Sequence, residues 1–259
     1  MSDLRGRTVL VTGAGSGIGR AIADRFAADG ASVACADIDP ASAGATAGAL
    51  RDAGLAAFAV EVDIADEDSV AQLVNAVVDS TGRIDIVAAN AGIMVEGDIL
   101  SLSLEDWNRA MTVNATGAFL TARATLPYLM ESDQGALVFS ASTVALAGMR
   151  GVAAYSAAKG AIAALTRQIA ADYADRGVRA NAVAPGAVRT PLSESQFRAR
   201  ARDDAHFDEL LQGVIARYPI GRWGESPEIA EVVHFLGTAR SAWMTGQILP
   251  VDGGLLELR

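Results

Sequence analysis

Lysine occurs once in this 259-residue chain, cysteine once and histidine twice. A single cysteine, Cys35, excludes an internal disulfide framework and any cysteine-rich zinc site, and its apolar neighbours mark it as a small buried hydrophobe. His206 and His234 fall in no spacing that suits a metal site or a nucleophile triad, so no metal is expected. Long apolar runs are missing as well. Near the start only Val9, Leu10 and Val11 run together before Thr12, too short for a signal peptide or a membrane span, which predicts a cytoplasmic protein with no membrane partner. Basic residues are outnumbered 31 to 21, and the resulting formal charge of -10 excludes a nonspecific grip on nucleic acid or anionic lipid.

What is present is apolar and glycine-rich: 51% hydrophobic residues and 26 glycines, enough to bury a sizeable core. Short β-branched or apolar runs at 8–11, 32–36, 56–62, 84–89, 136–139, 178–183 and 248–251 read as strands. Amphipathic stretches at 17–29, 40–53, 66–80, 104–131, 153–175 and 226–238 read as helices between them. Strict alternation implies a parallel seven-stranded sheet with helices on both faces, and right-handed crossovers make it doubly wound. The punctuation agrees. Asp39 with Pro40, and Ser226 with Pro227, read as a helix cap followed by proline, and Gly30, Gly54 and Gly82 as C-terminal stops. One pattern runs from end to end, predicting a single domain over 1–259. The polar segment of about 190–223 breaks it and reads either as a functional flap or as a solvated charged helix, two readings that are compatible.

Two motifs point to chemistry. After the first strand stands Thr12-Gly13-Ala14-Gly15-Ser16-Gly17-Ile18-Gly19, leading into a helical pattern. A glycine turn feeding a helix start lets backbone N–H groups approach a pyrophosphate; the alternative is a tight strand-to-helix corner. The G-x-G-x-x-G spacing fails when checked literally; T-G-x-x-x-G-x-G fits. Asp37 ends the second strand where an acid would accept hydrogen bonds from an adenosine ribose, unless it is only a turn residue beside Asp39. An acid there repels a 2′-phosphate and no basic side chain sits in the glycine loop, so NAD is favoured over NADP. In the second motif Tyr155 and Lys159 lie four residues apart, on one face of a helix. An ammonium about 4 Å from a phenol at an effective dielectric of about 20 favours the phenolate by up to roughly 4 kcal/mol, which predicts a tyrosine acidic enough to exchange a proton near neutral pH. The position carries the chain's only lysine, although every other basic residue is arginine, whose planar guanidinium is no substitute for a compact charge.

With these motifs on the page, the chain resembles the classical short-chain dehydrogenases/reductases from about Thr8 to Gly254. The resemblance rests on an ordered set: TGAGSGIG at 12–19, Asp63, Asn90-Ala91-Gly92, Asn114, Ser142, Tyr155-Ser-Ala-Ala-Lys159, Pro185-Gly186, Thr190-Pro191 and GQILPVDGG at 246–254. It implies a Rossmann fold and NAD-dependent interconversion of a secondary alcohol and a ketone. Tyr155 would be the acid–base residue. Lys159 would lower its pKa and hold the nicotinamide ribose, Ser142 would bond the substrate oxygen, and Asn114 would order a water relay behind the lysine. Ser140 rivals Ser142, though spacing favours the latter. For the cofactor it implies Gly13, Ser16, Gly17, Ile18, Gly19 and Asp37, with Asp63 and Ile64 at the adenine, Asn90, Ala91 and Gly92 along its backbone, and Pro185, Gly186, Val188 and Thr190 at the nicotinamide. Ala89 departs from the family, which more often has a second asparagine there. A homotetramer built on the helices at 105–131 and 153–175 and the C-terminal strand is also implied.

The expected substrate is a small-molecule alcohol or ketone, from a small diol to a sugar, a cyclic ketone, a steroid or a 3-oxoacyl thioester, and its pocket candidates are Val144, Arg150, Gln196 and Phe197, with Ile93, Met94, Met149 and Ala187 beside them. Arg150 either pairs with a substrate carboxylate or sulfonate or points to solvent. Trp107, Trp223 and Trp243 read as packing residues, and His206 as an outside candidate for lining the flap. Two other functions fit a nucleotide-binding fold. One is an NAD(H)-sensing regulator, which would not need Ser142, Tyr155 and Lys159. The other is an NAD-using epimerase or dehydratase, whose relatives usually have another glycine spacing and a longer C-terminal region.

Overall fold

The computed structural model describes residues 4–258. Seven parallel strands form the main sheet: β1 (Thr8–Thr12), β2 (Ser32–Asp37), β3 (Ala57–Glu61), β4 (Ile86–Ala89), β5 (Ala136–Ser140), β6 (Arg179–Pro185) and, last in the sheet, β9 (Ile248–Val251), ordered β3-β2-β1-β4-β5-β6-β9. Between them run α1 (Gly17–Ala28), α2 (Pro40–Asp52), α3 (Glu67–Thr81), α4 (Leu104–Ala110), α5 (Gly117–Glu131), α6 (Ala153–Tyr173) and α9 (Ser226–Gly237). Period-two alternation divides the core. Leu10, Ala34, Val87, Leu137 and Phe139 face one layer with Leu73 of α3, Leu126 of α5 and Ile162 of α6. Val9, Val11, Val33, Ile86 and Val138 face the other with Phe26 of α1, Leu50 of α2 and Leu236 of α9. The direction of winding reverses between β1 and β4, which opens a crevice at their carboxyl ends.

Three local expectations change, and the segment at 190–223 proves helical. The helix expected over 104–131 is interrupted by a π-helical turn, Met111–Thr116, between α4 and α5. The strand expected from 84 begins at Ile86; just before it the buried Asp85 carboxylate accepts Thr8 N at 2.9 Å. The cap of α9 is Glu225 rather than Ser226: Glu225 N donates to Glu228 Oε2 at 2.8 Å, while Ser226 Oγ turns to Arg189 O. The polar region of about 190–223 is ordered into two helices, α7 (Pro191–Arg200) and α8 (Asp204–Ile215). A two-residue strand, β7 (Val188–Arg189), precedes them and pairs in parallel with β8 (Gly224–Glu225). Asp39 does cap α2, accepting Ala41 N at 3.0 Å, and Gly30, Gly54 and Gly82 follow their helices with φ of 92°, 78° and 75°. Among the described residues no helix is long and apolar enough to cross a membrane.

Candidate active site

The carboxyl ends of the strands frame one cleft of about 1300 Å³, larger than the ~300–1,000 Å³ of a single small-ligand pocket and so roomy enough for two ligands side by side. The glycine loop closes its β1 end. Gly13 (φ 68°) lets the loop pass Ala91, whose Cα would lie 2.9 Å from an added Cβ, and a Cβ on Gly19 would stand 1.9 Å from Gly13 O. Ser16, the N-cap of α1, makes no side-chain cap bond, so the first N–H groups of that helix keep their donors for the cleft. Thr12 ties this loop to β4: its Oγ1 accepts Asn90 N at 3.1 Å and Ala91 N at 3.2 Å, and its carbonyl accepts Asn90 Nδ2 at 3.2 Å.

Asp37 lines the far end of the cleft, and the turn role weighed for it is also real. Its Oδ2 accepts Gly15 N at 2.8 Å and its Oδ1 accepts Asp39 N at 3.1 Å. Asp63 and Ile64 line the same end. Asp63 Oδ1 accepts Ala65 N at 2.9 Å, and Ile64 is buried against Gly117. An uncapped helix start, a loop with glycine at every second position and an acid beyond it suit a dinucleotide.

At the other end α6 places Tyr155 and Lys159 one turn apart on the cleft wall. Ser142 lines the same wall, and its Oγ accepts Val144 N at 3.4 Å. Ser140, the rival serine, instead donates to Asn90 Oδ1 at 3.0 Å. Lys159 is buried; its Nζ donates to Ser140 O at 2.7 Å and lies 5.5 Å from the Tyr155 ring centroid. The acidity expected of the phenol is not found. Burial pushes Tyr155 up to about 12, with the Ser142 hydroxyl pulling it back, and burial brings the Lys159 ammonium down to about 8. The ammonium's attraction for a phenolate is only one of the forces on the pair. Desolvation favours the neutral form of both groups, and here it wins.

Asn114 sits at the centre of the π-helical turn, fully buried. Its Oδ1 accepts Ile93 N at 3.1 Å, and its Nδ2 donates to Ile93 O at 3.0 Å and to Ala110 O at 2.9 Å, a carbonyl of the helix just before the turn. A Cβ on Gly92 would lie 2.5 Å from Asn114 Oδ1 and 3.4 Å from Lys159 Nζ, so this amide and the lysine abut the same glycine.

Pro185, Gly186, Val188 and Thr190 line the cleft beside them, and Thr190 caps α7 in a reciprocal pair with Ser193 (3.1 and 2.9 Å). Val144, Arg150, Gln196 and Phe197 also line it, as do Ile93, Met94, Met149 and Ala187. His206 does not; its Nδ1 accepts Arg202 N at 3.1 Å at the start of α8. Trp107 packs with Val95, Ala110 and Ala154, and Trp243 is fully exposed. Among the described residues no group of three or more His, Cys, Asp or Glu side chains is placed to hold a metal.

Sequence reasoning missed several lining residues. Tyr218 Oη accepts Ala187 N at 2.7 Å, pinning the backbone after Gly186. Trp223 packs edge-on against Phe197, with ring centroids 5.3 Å apart, and the turn after β9 contributes Leu255 and Leu256. Glu96, from the loop after β4, forms an ion pair with Arg200 of α7 at the cleft. No local signal joins two residues so far apart in the chain, whereas the T before G-x-x-x-G-x-G could have flagged Thr12.

A doubly wound sheet with this glycine loop at its β1 end suits a nucleotide-binding protein. The family model described as "Enoyl-(Acyl carrier protein) reductase" matches residues 13–256. The chain is 37% identical to 2-(S)-hydroxypropyl-CoM dehydrogenase 3 of Xanthobacter autotrophicus, covering 98% of each. It is 39% identical to cis-4-hydroxycyclohexanecarboxylate dehydrogenase of Sinomonas cyclohexanicum, covering 96% of each. The crystal structure of levodione reductase superposes with a TM-score of 0.91 at 33% identity, covering 97% of this chain and 98% of that one. The chain belongs to the short-chain dehydrogenase/reductase family and is an oxidoreductase of that family.

Proposed function

We propose that the protein is an NAD-dependent dehydrogenase/reductase that interconverts a secondary alcohol and its ketone, with Tyr155 as the proton carrier. The observation that carries this reading is that Tyr155, Ser142 and Lys159 line one cleft wall, Lys159 one helical turn from Tyr155 with its Nζ 5.5 Å from the phenol ring centroid. When bound, the nicotinamide supplies or accepts the hydride. Gly13, Ser16, Gly17, Ile18 and Gly19 would hold the pyrophosphate of the dinucleotide, Asp63 and Ile64 would flank the adenine, and Asn90, Ala91 and Gly92 would follow the cofactor backbone. Pro185, Gly186, Val188 and Thr190 face the nicotinamide end.

In the reductive direction Ser142 holds the ketone oxygen, and Tyr155, a neutral phenol at pH 7 with its pKa near 12, gives its proton to the developing alkoxide. The resulting phenolate is stabilised by the Lys159 ammonium one turn away, which with a pKa near 8 is still mostly charged at pH 7. Oxidation reverses the transfer and needs the phenolate. Asn114 acts on this machinery by holding the π-helical turn beside Lys159. Asp37 supports NAD over NADP, because its carboxylate lines the adenosine end and no basic side chain occupies 13–19. The segment 190–223 serves as the substrate flap, supported by α7 and α8 edging the cleft through Gln196, Phe197 and Val214. Exposed Phe119 on α5 and fully exposed Trp243 before β9 support self-association as a homotetramer, which light scattering would measure. Cys35, buried and pushed up to about 12, fits a reducing cytoplasm.

The test is an absorbance screen at about 340 nm of NADH or NADPH consumption over diverse ketones, and of the reverse reaction over secondary alcohols. Turnover with NADH and much weaker turnover with NADPH is expected. Equal use of NADPH would remove the role given to Asp37.

A further inference from the structure

Resting on the dehydrogenase reading, we infer that the substrate carries a carboxylate, which Arg150 and Arg217 bind at the rim of the cleft. The charges lining the cleft are sorted by position. Its acids at the adenosine end, Asp37 and Asp63, follow β2 and β3 on one side of the sheet. On the opposite side, around Ser142 and Tyr155, three arginines line the wall, Arg150, Arg200 and Arg217, against a single acid, Glu96.

That acid is taken. Glu96 pairs with Arg200, although the neighbouring backbone brings it close to the loop that bears Arg150: Gly97 N donates to Gly151 O at 2.9 Å and Ala153 N donates to Gly97 O at 3.1 Å. Among the described residues neither Arg150 nor Arg217 forms an ion pair. Two exposed guanidinium groups without an ion pair line this one cleft of a protein of formal charge -10, and an anion is favoured beside them. A guanidinium fork matches the two oxygens of a carboxylate. Between this rim and Tyr155 the wall is apolar, through Met94, Val144, Met149, Phe197 and Trp223. The ligand that fits has a reacting carbonyl at one end, an apolar body and a carboxylate at the other.

The test compares keto acids with their methyl esters, using 3-oxobutanoate, 4-oxopentanoate and 4-oxocyclohexanecarboxylate with NADH. An acid favoured over its ester by about tenfold or more in kcat/KM in at least one pair is expected, a preference that falls at high ionic strength. The double variant Arg150→Gln/Arg217→Gln should bring the ratio close to one, while its melting curve reports folding. Esters reduced as well as their acids in every pair, or a ratio untouched in the variant, would overturn the carboxylate site and leave the dehydrogenase reading standing. If no ketone is reduced, binding decides. Trp223 lies in the cleft, so cyclohexanecarboxylate should quench tryptophan fluorescence at lower concentration than its methyl ester, and the difference should vanish in the double variant. That outcome would keep the carboxylate site and overturn the dehydrogenase reading; absence of any difference would overturn the site.

Discussion

Replacing Asn114 by alanine removes the amide that closes the π-helical turn. Its three hydrogen bonds go to backbone groups: Ile93 N, Ile93 O and Ala110 O. The side chain is fully buried, so solvent does not readily replace it. At about 1 kcal/mol net for each bond lost, the variant should be less stable by about 3 kcal/mol. For a chain of this size that is a fall in Tm of about 6–12 °C. Differential scanning fluorimetry measures it, and far-UV circular dichroism checks that the sheet survives. Because Asn114 and Lys159 abut the same glycine, kcat should fall in the same variant while NADH affinity changes little. A Tm within about 2 °C of the parent would refute the reasoning, because the turn would then be held by something other than this amide.

Gly19→Ala places a methyl group 1.9 Å from Gly13 O; NADH binding, followed by fluorescence, should be lost or the chain should fail to fold, and near-normal binding would contradict the packing described. Ketone reduction should decline as pH rises through about 8, where Lys159 loses its charge, and a rate flat from pH 7 to 9.5 would argue against that group. His234 is fully buried with Nε2 3.0 Å from Asp29 Oδ2, a close approach not aligned as a hydrogen bond, and its pKa is lowered, first by burial and by Arg25, with Asp29 opposing. Below its ordinary value near 6.5 the folded chain therefore binds fewer protons than the unfolded chain. The stability this group contributes is complete above 6.5 and is lost as pH falls from there through the lowered folded value. His234→Gln should flatten the dependence of Tm on pH between 7 and 5, and an unchanged slope would show that another group governs it. Glu96→Gln frees Arg200, so hydrogen exchange over 191–200 should speed up and KM should rise; unaltered exchange would mean that the ion pair does not hold α7.

Much of this architecture can be read from one-dimensional patterns. Strands with alternate residues facing two layers, as in Val9, Leu10 and Val11, leave an apolar run that announces a doubly covered strand. The glycine loop and the four-residue step from Tyr155 to Lys159 are likewise local. What escaped depends on partners distant in sequence. The π-helical turn is visible only once Asn114 meets Ile93, because residue propensities at 104–131 favour a continuous helix. Within 190–223 the bounds of α7 escape because it buries none of its residues, yet the Thr190 and Ser193 caps and the Arg200 pairing order it. The acidity of Tyr155 was misjudged for a related reason: the spacing reports the neighbouring charge but not the loss of water.

The most direct test of the central claim is Tyr155→Phe, which keeps the ring and removes only the hydroxyl. NADH should bind about as tightly as to the parent, while single-turnover reduction of a confirmed ketone should slow by about 10²–10⁴-fold, the usual contribution of a positioned acid–base group. Turnover within about tenfold of the parent, with NADH still bound, would contradict the account.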